Sequence, residues 1–223
     1  MKQNQCIAID GPVASGKTTI GKELAKKIDY CFLDTGIMYR AVTYLALEKK
    51  INPNDTGLLI DSIKKLKFKF IPNSTNYQVN LDNKNITKHL KNPTIEKHVS
   101  VVATNSLIRS ELVKIQREIA YSNHIIMVGR DIGTIVIPNA KNKFFLIASS
   151  IVRAQRRYAE FKKTGINLSF EIVKSEIENR DKIDTERKES PLKPAHDSIL
   201  INTDKMNIDE VVEEMINNIE INK

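Results

Sequence analysis

The chain has 223 residues, 41% of them hydrophobic, enough to bury the core of one α/β domain. No run of about 20 apolar residues occurs, so no membrane span is expected, and the polar start Met1–Gln5 carries neither the apolar stretch nor the cleavage signature of a signal peptide. A net charge of +8 admits nucleic acid, a membrane surface or a phosphorylated small molecule as partner, so the placement of charge has to decide among them.

Five short apolar runs read as buried strands: Cys6–Ile9, Cys31–Leu33, Ile125–Val128, Phe144–Ala148 and Ile199–Ile201. None alternates polar with apolar residues, which favours a parallel sheet covered on both faces. Helical stripes lie between them at Ile20, Leu24 and Ile28, at Ile108, Leu112, Ile115 and Ile119, and at Val211, Met215 and Ile219 behind Asn207 as N-cap. Strands alternating with helices imply a doubly wound α/β fold. One region breaks the pattern. Lys67–Ile71 alternates, Asn73–Asn76 reads as a turn, and Tyr77–Leu81 alternates again, so residues 65–92 are expected to form a small antiparallel β insertion. Cys6 and Cys31 fall inside strand runs and are expected as small buried hydrophobes in a reduced compartment. The four histidines show no ligand spacing with them, so no structural zinc is expected.

Gly11-Pro12-Val13-Ala14-Ser15-Gly16-Lys17-Thr18 matches the phosphate-binding pattern G-x-x-x-x-G-K-[ST] at every fixed position. It follows the strand Ile7–Ile9 and opens a helix from Thr19 onward, which is the context the pattern requires. Glycines let backbone N–H groups turn inward around a phosphate, and the helix N-terminus adds positive potential. Lys17 is expected to reach the β- and γ-phosphates of ATP, and the Thr18 hydroxyl to help hold Mg2+. A glycine-rich turn with a chance lysine would not need both the strand and the helix. The loop by itself does not name the acceptor.

Arginine is sparse, with nine in a lysine-rich chain, and it is grouped: Arg40; Arg109 and Arg117; Arg130; Arg153, Arg156 and Arg157; Arg180 and Arg187. Planar bidentate recognition of phosphate is a task for which lysine will not serve. After the second strand, Asp34-Thr35-Gly36-Ile37-Met38-Tyr39-Arg40 offers a face to stack on a base at Tyr39, a phosphate fork at Arg40 and, at Asp34, a carboxylate able to hold a Mg2+ water. After the third, Arg130 and Asp131 stand between Gly129 and Gly133. The bland alternatives are a capped turn for the first segment and a loop salt bridge for the second. The charged run Arg180–Arg187 taken alone reads as a solvated helix end.

The segments IAIDGPVASGKTT, LDTGIMYRAV, VSVVA with IRSELVKIQR, GRDIGTIVIPNA, RAQRRY, and RDKIDTERKESPL with AHDSILINT resemble the bacterial cytidylate kinase family in order and spacing over nearly the whole chain. GRDIGT followed by V-I-P is the most specific of them. The resemblance implies an ATP-dependent (d)CMP kinase with Mg2+, built on a five-stranded parallel sheet of P-loop type with a short helical lid. It implies a single kinase domain over 1–223. Within it, 1–34 holds the P-loop, 35–120 the monophosphate-binding part, 121–150 more of the core, 151–190 the lid and closing helices, and 191–223 the return to the core. ATP is implied to contact Gly11–Thr19, and cytosine Ser100, Arg109 and Asp131. The acceptor phosphate falls to Arg40, Arg130 and Arg187; the sugar to Asp184 with Arg180 and Thr35; the moving phosphoryl group to the lid arginines Arg153 and Arg157. Leu90-Lys91-Asn92 departs from the family's usual Ile-Arg-Thr.

These readings point to a cytoplasmic monomer acting on small nucleotides, with no nucleic acid and no membrane partner. Two alternatives stand beside them. One keeps the chemistry and changes the acceptor to UMP, AMP or a non-nucleotide alcohol. The other is a nucleotide switch or nucleic-acid-binding module. A guanine switch would need Asn-Lys-x-Asp, which neither Asn52-Pro53-Asn54-Asp55 nor Asn142-Lys143 supplies, and aromatics for RNA stacking amount to only 6%.

Overall fold

The computed structural model describes residues 5–52, 55–65, 68–73 and 76–220. Strands β1 (Cys6–Asp10), β2 (Cys31–Asp34), β6 (Ile125–Gly129), β7 (Asn142–Ile147) and β8 (Ile199–Asn202) form one parallel sheet in the order β2-β6-β1-β7-β8. These are the five runs expected from the sequence. The fourth starts earlier and ends one residue sooner than anticipated. Asn142 and Lys143 enter the strand because their polar groups find partners: Asn142 exchanges hydrogen bonds with the Glu220 backbone, and Lys143 Nζ donates to Asp197 Oδ2 at 2.6 Å.

Helix α1 (Lys17–Ile28) buries Ile20 and Leu24 against one sheet face, together with Val211, Val212 and Met215 of α8 (Ile208–Asn217). Asn207 caps α8 through a reciprocal capping box with Glu210. On the other face, α2 (Gly36–Glu48), α3 (Thr56–Lys65), α4 (Pro93–Thr104) and α5 (Ser106–Tyr121) surround a second core that contains Met38, Val42, Leu59, Val99, Ile108 and Leu112. Register brings three strand ends to one edge: Asp10 pairs with Gly129, and Asp34 with Val128. The loops after β1, β2 and β6 therefore open at the carboxyl edge of the sheet, where open α/β sheets bind ligands.

The insertion is a separate sheet, β3 (Phe68–Asn73), β4 (Asn76–Leu81) and β5 (Lys84–Asn85), antiparallel and in that order. Lys67, Ser74 and Thr75 of the expected hairpin lie outside the described residues. Two-residue β5 is too short to leave a pattern. Val79 and Leu81 pack with Ile86 and Leu90 on Ala41 and Leu45 of α2, so the insertion braces the helix that carries Tyr39 and Arg40. Asn92 caps α4 by accepting from Thr94 N at 2.8 Å, a task that its place in the departing Leu-Lys-Asn segment did not reveal. Helices α6 (Ser150–Lys163) and α7 (Phe170–Glu186) join through Ala154, Val173 and Ile177, and Val13 and Ala14 of the loop after β1 pack against that cluster.

Candidate active site

The loop 11–16 turns through φ 150° at Gly11, 58° at Ala14 and 95° at Gly16. A Cβ at Gly11 would come within 2.5 Å of the Leu146 carbonyl oxygen, so that position needs glycine for space as well as for backbone. Gly16 caps α1 without a side chain, which leaves the first N–H groups of the helix facing the loop. Lys17 is the first residue of α1 and is only 6% exposed. Its Nζ donates to Pro12 O at 2.6 Å and to Ser15 Oγ at 3.2 Å. Burial, and next the charge of Arg130, push this amine well below its usual pKa. Thr18 Oγ1 donates to Asp34 Oδ2 at 2.8 Å, and Asp34 Oδ1 accepts from Gly36 N at 3.0 Å.

Beyond β6 the chain makes a π-helical turn at Ile132–Val136. Asp10, 4% exposed at the end of β1, fixes its start by accepting from Ile132 N at 2.8 Å and Gly133 N at 2.7 Å. Desolvation outweighs those two bonds and raises its pKa to about 6. The turn thereby presents Asp131 to Arg109 of α5, and the two form a buried ion pair. Arg109 Nη1 donates to Ala103 O at 3.0 Å, and its guanidinium lies 5.5 Å from the ring centroid of Tyr39. Arg130 Nε donates to Asp184 Oδ2 at 2.8 Å, with Arg187 Nη1 3.9 Å from Asp184 Oδ1. Among the described residues Arg180 Nε and Arg187 Nη2 are buried without a hydrogen-bond partner, and burial followed by Arg130 lowers the Arg180 pKa to about 10. Guanidinium donors in that condition suit an oxyanion.

One cleft is lined by Val13, Ala14, Gly16, Lys17, Thr18 and Thr19 on one side and by Tyr39, Arg40, Arg109, Arg130 and Asp131 on the other, with Asp34 and Thr35 between them and Arg157, Arg180, Asp184 and Arg187 over it. Gly11, Pro12 and Ser15 shape the loop without lining the cleft, and Ser100 of α4 does not line it either. Thr35 is 4% exposed and its hydroxyl donates to Val128 O at 3.0 Å, so it also ties α2 to β6. Arg153 differs from Arg157, one turn away on α6. Its Nη1 and Nη2 grip both oxygens of Asp181 at 3.0 and 2.6 Å, and its Nη1 reaches Val13 O at 3.3 Å. It is 5% exposed and does not line the cleft.

Two residues escaped the sequence reading. Asp10 stands before the glycine loop as though part of it. Glu96 reads as an ordinary acid in the first turn of α4, yet its Oε1 accepts from Arg40 Nε at 2.6 Å, and its Oε2 lies 4.0 Å from Arg157 Nη2 and 3.9 Å from Arg180 Nη1. Neither could be found from spacing, because each acts on a residue distant in the chain.

The family model for cytidylate kinase matches residues 7–221. A cytidylate kinase of Bacillus licheniformis is 43% identical over 217 residues, covering 97% of this chain and 96% of its own. One from Bacillus thuringiensis is 40% identical over 216 residues, with 97% and 96% covered. Among solved structures, an uncharacterized protein from Eubacterium ventriosum superposes with a TM-score of 0.50 at 12% identity, covering 96% of this chain and 98% of its own, a likeness of fold alone. The chain belongs to the cytidylate kinase family.

Proposed function

We propose that this ATP-dependent phosphotransferase works in the described cleft, transferring the γ-phosphate of ATP to CMP or dCMP and yielding ADP with CDP or dCDP. The observation that carries the reading is the presence, in one cleft, of Lys17 with its phosphate loop and the buried Arg109–Asp131 pair. Cytosine presents an exocyclic amino donor beside acceptors at N3 and O2. Asp131 accepts from the amino group, and Arg109 donates to the acceptor edge. Uracil would turn a carbonyl oxygen towards Asp131 and be repelled.

The nucleophile is an oxygen of the acceptor phosphate, whose second pKa is about 6, so it is largely dianionic at neutral pH. No general base is required, and none of the four histidines lines the cleft. The task is to bring two polyanions together and to stabilise charge on the phosphoryl group in flight. Arg40, Arg130 and Arg187 bind the acceptor phosphate; Lys17 and Arg157 meet the transferring group. Asp184 and Arg180 hold the sugar. Arg153 braces the lid against Val13 and acts on the moving group through that contact. Closure of α6 and α7 over the loop excludes water.

Thr18 and Asp34 bring two hard oxygen donors within 2.8 Å of each other, a set that suits Mg2+ held partly through water. Among the described residues no cluster of three or more His, Cys, Asp or Glu could hold a metal alone, in keeping with a cation shared with substrate phosphates. Bound there, Mg2+ supplies neutralisation of the β- and γ-phosphate charge. The enzyme acts as a monomer in the cytoplasm on free nucleotides. Among the described residues no helix is long and apolar enough to cross a membrane.

A coupled assay of CMP, dCMP, UMP, AMP and GMP with ATP and Mg2+ tests the reading. CMP and dCMP should be turned over best. UMP or AMP used as well as CMP would overturn it.

A further inference from the structure

Six arginines and Lys17 line the cleft, so it carries a large like-charge cost of its own. The other carboxylates of the cleft each have near partners within it: Asp131 pairs with Arg109, Asp184 joins Arg130 and Arg187, Asp34 accepts from Thr18, and Glu160 accepts from Arg157 at 3.0 Å. Glu96 is different. It projects from α4 to meet an arginine from each of three other helices, Arg40 of α2 at 2.6 Å, Arg157 of α6 at 4.0 Å and Arg180 of α7 at 3.9 Å. These are residues read above as partners of phosphate and sugar. Only the Arg40 contact is a hydrogen bond; the other two lie beyond that distance. A carboxylate at the meeting point of three guanidinium groups occupies the position that suits an oxyanion.

We propose that Glu96 is a resident counter-anion of the acceptor-phosphate site, which engages Arg40, offsets the charge of Arg180 and adds to Glu160 in offsetting that of Arg157, until the phosphate of the incoming nucleotide competes for them. The inference rests on the acceptor-site reading above. Its side chain is 25% exposed, so it can swing towards solvent. Its one hydrogen bond to these arginines, from Arg40 Nε at 2.6 Å, is the contact that the incoming phosphate has to replace. Arg40 and then Arg180 and Arg157 hold its carboxyl below the usual range against the opposing effect of burial, so the competitor is charged where the acceptor phosphate is a dianion. Glu96 is thus a positioning residue that sets how tightly the site holds phosphate and how readily it lets the product go.

The test is calorimetric titration of the wild type and Glu96→Gln with CMP, sodium sulfate and cytidine. The amide can still accept from Arg40 Nε but carries no charge. CMP and sulfate should both bind the variant roughly three- to tenfold more tightly, as loss of a partly exposed ion-pair competitor allows. Cytidine, which has no phosphate, should bind both proteins alike. CMP and sulfate binding no more tightly to the variant, or cytidine shifting as much as CMP, would overturn the inference. Arg40→Ala separates it from the reading beneath it. If Arg40→Ala weakens CMP while Glu96→Gln tightens nothing, Glu96 alone has been misassigned. If Arg40→Ala leaves CMP affinity unchanged, the acceptor-phosphate site is misassigned and the inference falls with it.

Discussion

Thr18 Oγ1 donates to Asp34 Oδ2 at 2.8 Å, tying the first turn of α1 to the end of β2 across the mouth of the cleft. The residues are 16 positions apart: Thr18 follows β1 across the loop and Asp34 ends β2, the two strands that flank β6. If this pair holds Mg2+, Thr18→Val should raise the Mg2+ concentration needed for half-maximal rate and lower kcat by roughly 10- to 100-fold. Titrating Mg2+ at saturating ATP and CMP checks it. An unchanged Mg2+ dependence would remove Thr18 from the metal site.

Lys17 combines function with a stability cost. It is 6% exposed, and desolvation disfavours its charge. Lys17→Met keeps the bulk and removes the buried ammonium. Transfer should fall on the order of 10² to 10³ in kcat, while the thermal midpoint should hold or rise. Turnover within tenfold of wild type would contradict the phosphate-loop assignment.

Arg153 and Arg157 should separate cleanly. Arg153→Ala breaks a two-pronged bond to Asp181 and leaves the contact with Val13 O unmade, so its main effect should be a lower melting temperature, with a loss of about 2 to 4 kcal/mol. Arg157 lines the cleft at 32% side-chain exposure, so Arg157→Ala should leave stability nearly unchanged and lower kcat more than it alters KM for CMP. Melting curves and steady-state kinetics on both variants decide it.

Asp10 predicts a pH dependence. Its carboxyl is raised from 3.8 to about 6, so the native state holds that proton more tightly than the unfolded chain does. The resulting stabilisation is fully present below the unfolded value and is lost as pH rises through about 6, a change on the order of 3 kcal/mol. Asp10→Asn removes this titration and sets an amide donor against one of the two N–H groups of Ile132 and Gly133. Urea unfolding should show the advantage of wild type over the variant growing from pH 7 to pH 4. An advantage that stayed flat or shrank would contradict it.

The central strands β1 and β6 were legible because both sheet faces are covered there, so each is a nearly continuous apolar run; edge strand β8 is largely exposed and was legible from its apolar residues alone. The phosphate loop was legible because its glycines serve backbone geometry within a few residues. What stayed hidden depends on partners distant in the chain. Arg153 and Arg157 share a helix face by spacing, but only the packing of α6 on Val13 and Ala14 turns one into a brace and leaves the other in the cleft. Asn142 and Lys143 look too polar for a buried strand until Glu220 and Asp197 are seen to satisfy them. Glu96 gains its meaning only where four helices converge.

If Asp131 reads cytosine in this cleft, the CMP to UMP ratio of kcat/KM should differ between wild type and Asp131→Asn. The amide offers a donor to the uracil O4 and gives up the charge-assisted bond to the cytosine amino group. A buried acceptor facing an acceptor costs about 1–3 kcal/mol, so the ratio should fall by about tenfold or more. The substitution also leaves Arg109 without its carboxylate partner, so both rates should drop, and only the ratio reports on the base. A ratio that falls towards one is the expected result. An unchanged ratio would mean that Asp131 does not read the base.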